Sequence, residues 1–339
     1  VTQAGICASE AVALSAADQT KVFNGIAATG ATWSRIAVFW STCNSSRGVY
    51  AWGPLDAAVK AARAAGLQVL LNIVGPRPNL GFLWFSPTVA ADLATFAGVL
   101  ARRYASQGVS HYEIWNEPNA ALNWSVPGWF GIPTPGISAV DYVAWLKPTY
   151  AAIHLAQPAA TVISAGLEAC ASWSSTNLDP VVFLTQAYAA GLKGCTDAIG
   201  YHPYSLTTGF VYEPPTASQQ FIADMTGIHN VMQANNDGAK QIWATEWGFP
   251  TITASTIAAT NAPQPAITQA LQSQYLAAQW AIMSQLPFAG PLFLYQYRDW
   301  TYPGATYSVA YDDQNLGLVT QDYTPKTALA TMTTLWRHP

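Results

Sequence analysis

The chain has 339 residues, of which 51% are hydrophobic and only 9% charged, with a formal net charge of −4 and a pI near 5.7. An acidic chain this poor in charge lacks the basic stripe that nucleic-acid binding demands, and no uninterrupted apolar run approaches the roughly 18 residues of a membrane span. Its length suits one large α/β barrel or two ordinary domains.

In chain order, QAGIC (3–7) reads as a short buried strand, and Ser15 before AADQ starts a helix over 16–29 that Gly30 stops. WSRIAVF (33–39) is a second strand, followed by helical spacing over 55–65 up to Gly66. LQVLLNIV (67–74) leads to a helix over 87–105, opened by Ser86-Pro87 and closed by Gly108. HYEIW (111–115) precedes a helix over 140–156 with Pro158 beyond it. TVISAG (161–166) precedes one over 179–190, opened by Asp179-Pro180 and closed by Gly191. TDAIGY (196–201), QIWAT (241–245) and PLFLYQY (291–297) are the last strands, with helices over 217–234, 267–286 and, after Thr324-Pro325, 325–336.

Eight strand–helix pairs in alternation predict an α/β fold, a closed parallel (β/α)8 TIM barrel occupying residues 1–339 as a single domain. The strands are nearly continuous in apolar character, as strands covered on both faces must be. A doubly wound open sheet would ask for a glycine-rich first turn, and QAGICASE supplies none. The longer loops, 75–86, 118–139, 167–178, 202–216, 247–265 and 298–323, all follow strand C-termini, the face on which such barrels build their sites.

The chain starts at Val1 and has only six lysines, with many Ser, Thr, Asn and Gln, which fits the mature form of a secreted, extracellular protein; its alanine-rich composition is of bacterial type. Four cysteines, Cys7, Cys43, Cys170 and Cys195, show no CxxC or Cys/His metal spacing, so two disulfides are expected. Cys7 and Cys43 follow the first two strands at one barrel face, where a bridge is easy to close, and Cys170 and Cys195 pair by elimination.

Two stretches carry chemistry. In HYEIWNEPN (111–119) the alternation ends at Asn116-Glu117-Pro118, so Glu117 projects from a strand tip, where partial burial raises a carboxyl toward the range of a general acid. Glu246 closes the apolar run of QIWATEWGFP (241–250) in the same way. Two carboxylates at two strand ends are the minimum equipment for cleaving a glycosidic bond. Arg35 is a charge inside an apolar strand and requires a carboxylate, for which Glu246 across the barrel is the candidate.

IWNEP at the fourth strand, HPY just after the sixth and ATEWGF at the seventh together resemble the signature of the clan A retaining (β/α)8 glycoside hydrolases, most of all glycoside hydrolase family 39 and related bacterial exopolysaccharide glycosidases. The resemblance implies Glu117 as acid/base and Glu246 as nucleophile, with carboxyls about 5–5.5 Å apart. It also puts Arg35 beside the nucleophile. Asn116 would bond the sugar 2-hydroxyl, Tyr204 would hold Glu246, and His202 would line the site as a neutral donor. Each has a structural alternative: strand-end carboxylates, a loop-capping Asn116, an Arg35 paired elsewhere, a satisfied loop His202. No cofactor is implied, and no metal, since His111, His154, His229 and His338 form no spaced cluster.

Fourteen tryptophans are a dense supply of sugar-stacking rings. Trp40, Trp84, Trp124, Trp129, Trp173, Trp247 and Trp300 fall at or after strand C-termini, and Trp247 and Trp300 are the preferred platforms. Among the other acids, Glu113 shares the strand face of Glu117 and reads as a buried structural acid; Glu168 follows the fifth strand and could line the cleft; Glu10 and Glu213 read as ordinary loop carboxylates. The expectation is a monomeric, retaining hydrolase acting on a polysaccharide or glycoconjugate substrate, endo-acting because long aromatic loops suit an open cleft. A non-catalytic carbohydrate-binding protein on a hydrolase-derived barrel is the alternative, and an inverting or transglycosylating enzyme would share the same residues. No residue type in the loops names the sugar.

Overall fold

Eight parallel strands close into a barrel in chain order, β1 pairing with β8 as well as with β2. They are β1 (Ala4–Cys7), β2 (Trp33–Phe39), β3 (Gln68–Val74), β4 (His111–Asn116), β5 (Thr161–Glu168), β6 (Ile199–His202), β7 (Ile242–Trp247) and β8 (Ala289–Leu294). The computed structural model describes residues 2–75, 87–120, 137–169, 178–206, 211–216, 219–253, 265–300 and 314–337. Most of the long strand-to-helix loops, and with them Trp84, Trp124, Trp129, Trp173 and Cys170, lie outside the described residues.

The helices between strands are α1 (Ala16–Ala28), α2 (Gly53–Ala64), α3 (Pro87–Ala105), α4 (Ala139–Ala156), α5 (Pro180–Ala189), α6 (Gln220–Ala234), α7 (Gln269–Met283) and α8 (Thr327–Arg337). Their starts follow capping chemistry: the Ser15 hydroxyl accepts from the Asp18 N–H, and the Asp179 carboxylate accepts from Val181 and Val182 with Pro180 behind it. Gly30, Gly66, Gly108 and Gly191 stop the preceding helices with φ of 91°, 81°, 76° and 91°, a backbone only glycine adopts freely. Helix α8 begins two residues after the predicted Pro325, because Pro325 bridges Val319 and Lys326 is drawn inward to Asp299.

Two cores result. The outer one packs strand residues such as Ile36, Leu71, Tyr112 and Ile114 against the helices, and the inner one fills the barrel floor with Cys7, Trp33, Leu70, Ile163, Ala198, Trp243 and Phe293. Trp33 meets Trp243 edge-on at 5.4 Å, and a Cβ on Gly290 would come within 2.5 Å of Trp243, so β8 leaves that ring its room. His111 joins this floor edge-on to Trp33 at 4.7 Å. Burial pushes its pKa down to about 4, so the ring is neutral near physiological pH.

The expected Cys7–Cys43 bridge is absent: both are buried free thiols. Strand alternation turns Cys7 into the floor, where its Sγ reaches the Thr245 carbonyl at 3.4 Å, whereas Cys43 sits in the outer core at the end of a helical turn, Trp40–Cys43. Sharing a barrel face was not enough, because the two side chains point to opposite sides of the sheet. Burial pushes the Cys43 thiol up to about 12 and Cys7 well above its usual value, leaving both unreactive. Cys195 is also a free thiol.

Candidate active site

The site is assembled at the C-terminal ends of β2, β4, β6 and β7, and two of these strands break their alternation to build it. On β4, Tyr112 and Ile114 face the outer core while Glu113 faces inward to Arg35. Simple alternation would send Trp115 inward as well. Instead its φ is 80°, the ring packs outward edge-on to Trp145 at 5.2 Å, and Asn116 and Glu117 (φ 47°) turn toward the mouth. Positive φ at bulky residues is uncommon and clusters at functional sites. On β7, Ala244 pairs with Leu292 and Trp247 with Leu294, so three steps of β7 face two of β8. This bulge lets both Thr245 and Glu246 serve the inner side while Trp247 points out.

Arg35 is the hub. Its Nε donates to Glu113 Oε2 at 2.6 Å, Nη1 to Glu246 Oε1 at 2.5 Å and Nη2 to Asn116 Oδ1 at 3.0 Å. The Arg35 side chain is 3% exposed, and each fork of the guanidinium meets an oxygen, which is what a buried arginine requires. Because Asn116 Oδ1 is occupied, its amide nitrogen is the group left to meet a substrate. The Tyr204 hydroxyl donates to Glu246 Oε2 at 3.0 Å, and His202 Nδ1 lies 2.7 Å from Glu117 Oε1. All six predicted catalytic and polar site residues, Glu117, Glu246, Arg35, Asn116, His202 and Tyr204, therefore converge. His202 does more than line the cleft, since it contacts the acid directly.

The two carboxyls carry opposite shifts. Burial pushes Glu117 well above the usual carboxylate range, and the charge of Glu246 adds to it. Burial acts on Glu246 too, but the pull of the His202 Nδ1 edge, 3.9 Å from Oε2, and the charge of Arg35, with hydrogen bonds from Arg35 and Tyr204, outweigh it and hold this carboxyl low. One oxygen of each, with a His202 ring nitrogen, falls within 4.8 Å of the others. Three such atoms could surround a cation, but Arg35 already stands in the charge-balancing position against Glu246.

Trp247 is not a sugar platform: it is wholly buried behind the sheet, stacked on Trp280 at 6.3 Å, because the bulge turns it outward. Trp300 is also buried, 7% exposed, and follows Asp299, which is tied to Lys326 at 2.7 Å. Trp40 is likewise buried, stacked on Phe96. Among the described residues, Tyr295, just past β8, is a half-buried aromatic that packs on the inner cluster and interacts electrostatically with Tyr204. A scan for tryptophan alone passes over it. Glu113 is the buried structural acid expected, also accepting the Gly166 N–H at 3.0 Å. Glu10 is not the ordinary loop carboxylate expected. It is wholly buried, and that burial pushes it to about 7 against the opposing charge of Arg298 at 3.9 Å.

No protein-family model matches this chain, and no curated protein does. Solved structures match its fold throughout. A family 39 glycoside hydrolase from the gut symbiont Bacteroides cellulosilyticus WH2 superposes with a TM-score of 0.74 at 19% identity, over 99% of this chain and 63% of that one. An exo-β-1,4-mannosidase from Opitutaceae bacterium strain TAV5 gives 0.70 at 15% identity, over 99% of this chain and 59% of that one. A triple-mutant endo-β-1,4-glucanase from Xanthomonas axonopodis pv. citri gives 0.65 at 14% identity, over 100% of both chains. The chain thus spans about three fifths of the length of the first two. The fold is the (β/α)8 barrel that these proteins share.

Proposed function

We propose that this protein is a retaining glycoside hydrolase, with Glu246 as nucleophile and Glu117 as acid/base, acting on a polysaccharide or glycoconjugate outside the cell. One observation carries the reading: two strand-end carboxyls, with oxygens within 4.8 Å, are held in opposite charge states by their neighbours. That separation suits attack by one carboxylate on the anomeric carbon.

Glu246, kept ionised by Arg35 and Tyr204, attacks the anomeric carbon while Glu117 gives its proton to the leaving oxygen. Glu117, now a carboxylate, takes a proton from the water that hydrolyses the glycosyl-enzyme. The Asn116 amide meets the 2-hydroxyl, where a hydrogen bond strengthens as positive charge develops on the ring. The intact polar web around both carboxyls favours catalysis over a purely binding role, since a retired site has no need of two opposed charge states.

The test is reducing-sugar release and viscosity loss across β-glucans, xylans, mannans, galactans and bacterial envelope polysaccharides, with NMR of the first product's anomer. Release with retained configuration is expected. An inverted first product overturns the nucleophile assignment, and binding without release by the wild type overturns the hydrolase reading.

A further inference from the structure

Thr245 and His202 are both wholly buried, and His202 Nε2, 3.1 Å away, is the one hydrogen-bond partner of Thr245 Oγ1 among the described residues. A buried hydroxyl whose hydrogen finds no acceptor loses its hydration without replacement, so the Thr245 O–H points at Nε2. A neutral imidazole that accepts at Nε2 carries its proton on Nδ1. Nδ1 in turn sits 2.7 Å from Glu117 Oε1 and 3.9 Å from Glu246 Oε2. Burial lowers the His202 pKa against the pull of Glu246, Glu113 and Glu168, with Arg35 acting in the same direction as burial, which agrees with a neutral ring.

Building on the hydrolase reading, we propose that Thr245 is a positioning residue that locks His202 as the Nδ1–H tautomer and thereby assigns the two oxygens of Glu117. Oε1 accepts from His202 throughout, and Oε2 carries the proton that is delivered to the leaving group. The opposite arrangement would have Nε2–H donate to Thr245 and Nδ1 accept the acid's own O–H. It strands the threonine hydrogen and withdraws the catalytic proton toward the ring. With Nδ1–H donating, the contact survives both halves of the reaction: Oε1 accepts whether Oε2 is protonated or not, and no tautomer exchange is required between them. Two backbone features serve the device. Thr245 faces inward by regular alternation from Trp243, the β7 bulge brings Glu246 in beside it, and β5 has no side chain at Gly166, where a Cβ would lie 2.0 Å from Nε2 and 2.6 Å from Oγ1.

Heteronuclear NMR of protein labelled at the histidine nitrogens reads the tautomer directly, with His202→Gln assigning the signal. The wild type should show a protonated Nδ1 and a bare Nε2 near neutral pH; a protonated Nε2 overturns the proposal. In kinetics, Thr245→Val should lower kcat/KM about 10²-fold on glycosides with alkoxide leaving groups, within the range of general acid catalysis. It should change little on a dinitrophenyl glycoside, whose leaving group needs no proton. Thr245→Ser, which keeps the donor, should restore the loss. Equal losses on both substrates, or no rescue by serine, overturn the proposal. The NMR arm needs no turnover: an Nδ1–H signal in a protein that cleaves no glycoside upholds the Thr245–His202 assignment while removing the hydrolase reading.

Discussion

The ends of β4 and β7 each present a glutamate to the barrel mouth at the same depth, with both side chains 13% exposed, yet the two carboxyls shift in opposite directions. Depth alone therefore does not set the charge state. What differs is the company. Glu246 receives a guanidinium N–H and a phenol O–H, whereas Glu117 has one histidine contact and faces the negative charge of Glu246. The strands also reach their geometry differently, β4 through left-handed backbone at Trp115 and Glu117, β7 through an inserted residue opposite β8. Both routes let consecutive residues share the inner face, which regular alternation forbids.

The largest effect separates the two ends by role. Glu246→Gln should lower kcat by roughly 10⁴–10⁶-fold on every substrate, because no covalent intermediate forms. Glu117→Gln should cost about 10²–10⁴-fold on saccharide leaving groups and much less in the glycosylation step of an activated aryl glycoside. Measuring both variants on both substrate types checks this. If Glu117→Gln is as damaging on the activated glycoside as Glu246→Gln, the division of roles is wrong.

Next in size is the hub that joins the two ends. Arg35→Met should destabilise the fold by about 3–5 kcal/mol, since Glu113 is left charged and unpaired in the barrel. Adding Glu113→Gln should recover a large part of that loss. Urea unfolding of the single and double variants reads the coupling, and purely additive losses would show that the pair is not the stabilising unit.

Glu10 shows what burial does with little help from donors. Its folded pKa of about 7 lies above its ordinary value of 4.5, so the native state holds the proton over that window. Its contribution is therefore fully present below pH 4.5 and is lost as pH rises through about 7, amounting to about 3 kcal/mol at most. Glu10→Gln should flatten the decline of unfolding free energy across this window. An unchanged pH slope would mean that Arg298 already neutralises the group.

The barrel was legible because its signals are local and repeated: apolar runs recur eight times, capping residues and helix-stopping glycines punctuate several of the helices between them, and small boundary errors do not change the topology. The polar site was legible where residue type is unusual for its place, as with Arg35 in an apolar strand or Glu117 before a proline. The misplacements share one cause. Trp247 and the Cys7–Cys43 bridge were placed without knowing on which side of the sheet each side chain emerges, and the β7 bulge that turns Trp247 outward leaves no mark in the sequence. Thr245, Gly166 and Tyr295 look like ordinary strand residues, and only cross-strand contacts reveal what they touch. Glu10 reads as a loop acid because nothing nearby in sequence shows that Arg298, brought in from the last strand's loop, covers it.

The smallest effect is the sharpest test of why the two glutamates differ. If donors hold Glu246 low, removing one should move its titration without moving that of Glu117 by as much. Activity requires Glu246 ionised and Glu117 protonated, so kcat/KM should be bell-shaped, the acidic limb reporting mainly the former and the basic limb the latter, as macroscopic values of a coupled pair. Tyr204→Phe deletes the O–H that donates to Glu246 Oε2 and leaves Arg35 in place. Losing a donor to the charged form raises the carboxyl's pKa, so the acidic limb should shift to higher pH. The basic limb should shift less, because the charge of Glu246 that raises Glu117 is unchanged at that pH. An acidic limb that stays put would mean that His202 and Arg35 fix the charge of Glu246 without the phenol, and the contrast between the two strand ends would then rest on those two groups.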